Sequence, residues 1–178
     1  MSKNFRHSSR RIVIIAAAAA SGFLGSLVHA NAVASEKLAP PAGSKTVMKT
    51  AAIGVQIYKC ANTDGKFAWM FVAPEADLFD MAGKRIGKHG AGPFWEMSDG
   101  SKVNGAVAQR EDSTRPGAIP HLLLTSKSTG TAGTITNVKY LQRVNTLGGV
   151  APVGGCVSAS DTDTAARVYY TADYYFFE

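Results

Sequence analysis

The sequence is short of the residues that most often announce chemistry. Its 178 residues hold two cysteines and four histidines, and two of those histidines, His7 and His29, fall within the first thirty. No Gly-x-Ser-x-Gly elbow is present, so the usual strand-to-helix nucleophile is excluded. No element carries zinc-ligand spacing. Past residue 30 there is no long apolar run, and no apolar stripe at helical spacing lasts more than about two turns. A charge of one sign is missing as well. The formal net charge is +6, from 19 basic and 13 acidic side chains. Lys3, Arg6, Arg10 and Arg11 supply four of the basic ones, with no acidic residue among the first thirty, so the remainder stands at 15 against 13, or +2. That near-balance removes the composition-level argument for nucleic acid or an anionic membrane as partner.

What is present begins with an export signal. The basic stretch is followed by Ile12 to Val28, which has no charged side chain, and then by the small residues of Val28-His29-Ala30 and Ala32-Val33-Ala34. Charge, then apolar core, then small residues is the order of a cleavable secretory signal peptide, read here as residues 1–30. The rival reading is a retained anchor. The apolar run falls short of the usual span and is softened by Ser21, Gly22, Gly25 and Ser26, so no stable membrane span is expected after cleavage. No cysteine follows the run, which argues against a lipid anchor. The expected location is periplasmic or secreted; Ser9-Arg10-Arg11 leaves the choice between the general and the twin-arginine route open.

Residues 31–50 are rich in Ala, Pro, Ser and Lys, and Pro40-Pro41 disfavours regular structure, so they read as an extended lead-in. Residues 51–178 read as a single domain of ordinary size. Both cysteines, Cys60 and Cys156, lie beyond the signal, and an even pair in an oxidising compartment is most simply a disulfide. Strand-like alternation recurs along the domain. Ile53, Val55 and Ile57 alternate with Gly54, Gln56 and Tyr58. Asn62 to Gly65 is a turn, after which Phe67, Trp69 and Phe71 alternate until Pro74 ends the strand, with a short helical connector allowed over 74–77. Leu78 to Ile86 reads as a second hairpin. Val103, Gly105 and Val107 alternate, as do Thr134, Thr136, Val138 and Tyr140, and Leu122-Leu123-Leu124 suits a strand buried on both sides. Residues 145–164 form a long connection before the aromatic strand Arg167 to Phe177. The predicted fold is therefore all-β, an antiparallel β-sandwich or barrel-like fold with long loops and one disulfide. Aromatic strands also occur in outer-membrane barrels, but the short segments and the disulfide weigh against that class.

The densest polar segment runs from Gly87 to Ser101. His89, Trp95, Glu96, Asp99 and Ser101 offer a base, a stacking surface and carboxylates, as a ligand cleft or small hydrolytic site would. The plain alternative is two turns around a strand, with Trp95 in the core and His89 making a structural hydrogen bond. A metal site from His89 and His121 with Glu96 or Asp99 lacks supporting spacing, and neither a metal nor a cofactor is expected. A Ser101–histidine–Asp99 triad is weaker still, and Asp161-Thr162-Asp163 is a solvated turn rather than a calcium loop. In the last strand, Tyr170 and Tyr174 lie on one face and Tyr169 and Tyr175 on the other; both faces buried is favoured over one buried and one stacking on sugar rings.

The run from Gly54 to Cys60, then Trp69, His89, Gly92-Pro93-x-Trp95-Glu96 and Asp99-Gly100-Ser101 resembles a secreted family of bacteria and fungi, domain of unknown function 3455. So do Gln142-Arg143-Val144-Asn145-Thr146-x-Gly148-Gly149-x-Ala151-Pro152, Cys156, and Tyr170-Thr171-Ala172-Asp173-Tyr174-x-Phe176. The resemblance covers about residues 38–178. It implies a secreted domain with two matching cysteines and supplies no catalytic residues, though it directs attention to His89, Trp95, Glu96, Gln142, Arg143 and Asn145. Where that family carries an aromatic residue just before Leu122-Leu123-Leu124, this chain has His121. The preferred expectation is a non-enzymatic binding module for a polysaccharide or cell-envelope component. A small hydrolase or lyase using His89 with Glu96 or Asp99, and a structural envelope protein without a small ligand, are the alternatives.

Overall fold

Side chains that alternate between two faces leave a sheet with two surfaces to cover, and this chain covers one of them by closing the sheet on itself. The computed structural model describes residues 35–178; the signal-peptide reading lies outside the described residues. Eight strands follow in order: β1 (Thr46–Thr63), β2 (Lys66–Phe79), β3 (Arg85–Gly90), β4 (Phe94–Met97), β5 (Lys102–Glu111), β6 (His121–Ser128), β7 (Tyr140–Gly148) and β8 (Ala165–Phe177). Each pairs antiparallel with the next, and β8 returns to β1, giving a closed up-and-down barrel. Closure leaves no strand edge for another chain to extend. The choice between sandwich and barrel thus falls to the barrel. No α-helix occurs among the described residues; Glu36–Leu38 and Ala159–Asp161 are single 3-10 turns.

The interior is set by the pleat. Ala52 of β1, Ala76 and Leu78 of β2, Trp95 and Met97 of β4, Val103 of β5, Leu124 of β6, Leu141 of β7, and Tyr170, Ala172, Tyr174 and Phe176 of β8 form one apolar cluster. Gly105 makes room for it: a Cβ there would lie 2.7 Å from the indole of Trp95. The outer surface carries ion pairs such as Lys88–Glu96 at 3.1 Å and Arg167–Glu75 at 2.9 Å.

Several expectations change. β2 continues through Pro74, which sits opposite Gln56 next to a bulge between Ile57 and Tyr58; a proline is tolerated where the ladder is already irregular. The connector allowed over 74–77 is therefore strand. Residues 134–139, read as part of an alternating strand from Thr134 to Tyr140, are turn and irregular chain, and β7 starts only at Tyr140. β1 reaches back to Thr46, into the lead-in, and Leu38 ahead of it is fully buried. Strand β8 has its inner residues buried, but Tyr169 on the outer face is 61% exposed, so the strand is not buried on both sides. The disulfide between Cys60 and Cys156 is present, with Cα atoms 5.4 Å apart.

Candidate functional site

In an up-and-down barrel alternate connections gather at the same end. Residues 80–84, 98–101 and 129–139 meet at one end, which is filled. Ile135 and Val138 are buried in the core there. Asp99 fastens that plug: its carboxylate accepts from the Ser101 amide at 2.9 Å and hydroxyl at 2.6 Å, and from the Thr134 amide at 2.7 Å and hydroxyl at 2.5 Å. Those bonds hold the Asp99 pKa well below the usual carboxylate range, the Ser101 hydroxyl contributing most. Four donors on one carboxylate make a structural clasp, which explains why Asp-Gly-Ser stands at this turn.

The other end, bounded by residues 64–65, 91–93, 112–120 and 149–164, is not filled. A cavity of about 760 Å³ opens there, bordered by Gln56 and Tyr58 of β1, His89 of β3, Trp95 of β4, Arg143 of β7 and Tyr174 of β8. Pro93, Val107, Ile119, Pro120, Leu122, Leu124 and Val150 make much of its wall. Its size is typical of small-molecule sites. The loop residues above it are tied down. The Tyr58 hydroxyl donates to the Gly149 carbonyl at 2.6 Å, the Thr146 hydroxyl to the Ile119 carbonyl at 2.6 Å, and the Trp69 indole N–H to the Gly154 carbonyl at 2.8 Å. Gly149 adopts φ +88°, and a Cβ there would come within 2.9 Å of Ile119 and Tyr170, so glycine lets the loop cross this close to the barrel.

His89 is wholly inside. Its ring stacks on Trp95 at 4.3 Å, and Tyr174 meets both rings edge-on at 5.3 Å. The Phe94 carbonyl lies 2.7 Å from Nδ1. A carbonyl only accepts, so Nδ1 carries the proton and Nε2 is left as an acceptor. Burial pushes the imidazole pKa down to about 3, with the Arg143 charge adding to the effect. The ring is neutral at ordinary pH. Burial likewise raises the Tyr170 and Tyr174 hydroxyls above the normal phenol range. The ionisation of Tyr170 and Tyr174 is influenced by each other and by Arg143, and that of Tyr170 also by Gln56, but the geometry stops short of hydrogen bonds: Gln56 Nε2, both tyrosine hydroxyls and Trp95 Nε1 have no partner in the protein. Each unpartnered buried group costs about 1–3 kcal/mol. Behind the cavity wall the barrel therefore holds polar capacity that the fold itself does not use.

The residues singled out by sequence separate into distinct places. His89, Trp95 and Arg143 border the cavity. Glu96 lies on the opposite side of β4 from Trp95, paired with Lys88 at 3.1 Å and Lys102 at 3.5 Å, which lowers its pKa through the Lys88 contact first. Gln142 is buried outside the barrel, donating to the Leu38 carbonyl at 2.8 Å and so fastening the lead-in. Asn145 sits at φ +52° in the β7 bulge and donates to Asp173 at 2.9 Å. His121 opens β6, opposite Glu111. The pairing of His89 with Glu96 or Asp99 is absent, because one carboxylate faces outward and the other clasps the far end. Among the described residues no three His, Cys, Asp or Glu side chains converge as a metal site. Gln56 and Tyr58 were not singled out as site residues, although one signal was available: a glutamine and a tyrosine in the middle of a strand, at positions two apart, mark a face with a polar task.

The sequence matches the family described as Protein of unknown function (DUF3455) over residues 41–178. The chain belongs to that family. The match takes in all eight strands, both cysteines and every residue named at the cavity. Comparison with curated proteins and with solved structures found no match.

Proposed function

We propose that this barrel is a binding protein that encloses a small, largely apolar molecule at its open end. The observation that carries the reading is the cavity of about 760 Å³ left inside one end of a barrel whose other end is packed solid. An eight-stranded barrel is just wide enough to be filled by side chains or to hold one small ligand. The wall is made of proline, leucine, valine and aromatic side chains with few polar groups, as ligand cavities are. A long polysaccharide fits the geometry less well than a compact molecule. Trp95, Tyr170, Tyr174 and Phe176 all turn into the barrel, which leaves Tyr169 and Phe71 as the well-exposed aromatic rings for any outer platform. An acid–base enzyme has weaker support, because His89 is a poor base at a pKa of about 3 and has no carboxylate beside it. The disulfide supports the exported location suggested by the first thirty residues.

Thermal unfolding with a neutral apolar probe tests the reading. Decanol at a hundredfold excess over its dissociation constant should stabilise the protein by about 2.7 kcal/mol. Leu122→Trp, which places a large ring in the cavity wall, should remove that gain while keeping its own cooperative melt. No stabilisation by apolar probes, or a gain that survives Leu122→Trp, would count against an internal site.

A further inference from the structure

Two charged side chains from barrel strands border this cavity, Arg110 of β5 and Arg143 of β7. The Nε and Nη2 of Arg143 donate to the Pro120 carbonyl at 3.1 and 2.9 Å, which orients the guanidinium. A guanidinium has five N–H donors, so three remain. No Asp or Glu lies among the residues bordering the cavity. Among the described residues, no carboxylate forms an ion pair with Arg143. Arg110, at the exposed rim, is different: it already has Asp112 at 3.4 Å. The Arg143 charge is felt by Tyr58, His89, His121, Tyr170 and Tyr174, all on its side of the molecule. Arg143 is half-buried, and a positive charge against an apolar wall without a counter-ion carries a cost in lost hydration.

We propose that the cavity selects an amphipathic organic acid, its carboxylate held by Arg143 and its apolar body against Leu122, Leu124, Pro93 and the Trp95 ring. This rests on the internal-site reading above and adds the ligand's charge. A planar carboxylate matches the two-pronged face of a guanidinium, and a low-dielectric surround strengthens the pair. The neutral His89 and the two un-ionised tyrosines add no negative charge to oppose it. A cationic amphiphile would meet like charge with no carboxylate to receive it, and is disfavoured.

The test uses acid–alcohol pairs of the same skeleton, decanoate with decanol and 2-naphthoate with 2-naphthalenemethanol, displacing the neutral fluorophore N-phenyl-1-naphthylamine. Each acid should bind at least tenfold more tightly than its alcohol at pH 7.5. In Arg143→Met each acid should lose its advantage over its alcohol, with a cooperative melt reporting an intact fold. Arg143→Lys, which keeps the charge and loses the planar fork, should retain part of the preference. Acids and alcohols binding alike, or an acid preference that survives Arg143→Met, would overturn the inference and leave the internal site standing. Failure of the fluorophore and all four probes to bind would overturn both.

Discussion

Burial takes from His89 the water that would stabilise an imidazolium, and the Arg143 charge disfavours it further, so its pKa falls from 6.5 to about 3. The consequence is a pH dependence of fixed sign. Between those two values the unfolded chain binds a proton that the folded chain does not, so stability is full above pH 6.5 and declines as pH falls toward 3. A fully buried histidine of this kind contributes at most about 4–5 kcal/mol of that decline. His89→Gln keeps a donor for the Phe94 carbonyl and removes the titration. Denaturant titrations at intervals from pH 7 to 3.5 should therefore show a flatter profile in the variant. His121, whose pKa burial also lowers, leaves a smaller slope of the same sign. An unchanged slope in His89→Gln would mean that the imidazole is not held neutral by the fold. At this scale the sequence was partly legible. His89, Trp95 and Arg143 stand out by type, whereas Gln142 does structural work because adjacent strand residues face opposite sides, and Asn145 does so because the β7 bulge turns it toward Asp173.

At the scale of elements, β1 shows where pattern reading loses information. Its more apolar residues, Ile53, Val55 and Ile57, point outward, with Ile53 44% exposed, while Gln56 and Tyr58 point inward. A packed interior would demand the opposite register. The inversion is explained by the cavity, since this part of the wall faces a site rather than a core. Turn chemistry was a better guide: Asp64-Gly65 joins β1 to β2 with both residues at positive φ. The Thr134 to Tyr140 alternation misled because Thr134 serves the Asp99 clasp and Thr136 accepts from the Gly133 amide within the turn. The disulfide belongs to this scale as well. It joins the end of β1 to the loop over the cavity across 96 residues. Replacing both cysteines by serine should cost about 2–5 kcal/mol, measured by denaturant unfolding of the oxidised protein against the variant. A variant as stable as the parent would mean that the loop is held by its other contacts, Tyr58–Gly149, Trp69–Gly154 and the Lys59–Asp163 ion pair at 2.8 Å.

For the whole molecule, the all-β class and the single disulfide follow from alternation, turn spacing and cysteine count. Barrel closure does not, because it depends on β1 pairing with β8, more than a hundred residues apart in the chain, and no local pattern records that contact. The same holds for the cavity, which exists because one set of loops fills its end of the barrel and the other set leaves it open. Ile135 and Val138 do the filling, whereas at the open end Ile119 is the loop residue that joins the core cluster, and it does so at the cavity's border.

Saturation binding of N-phenyl-1-naphthylamine, followed by its own fluorescence in the parent protein and in Leu122→Trp, tests the internal site most directly. The account predicts one probe per chain in the parent and a loss of at least tenfold in affinity in the variant, with both proteins melting cooperatively. Several weak sites per chain, or equal binding by the two proteins, would place the probe on the outer surface and contradict a ligand held inside the barrel.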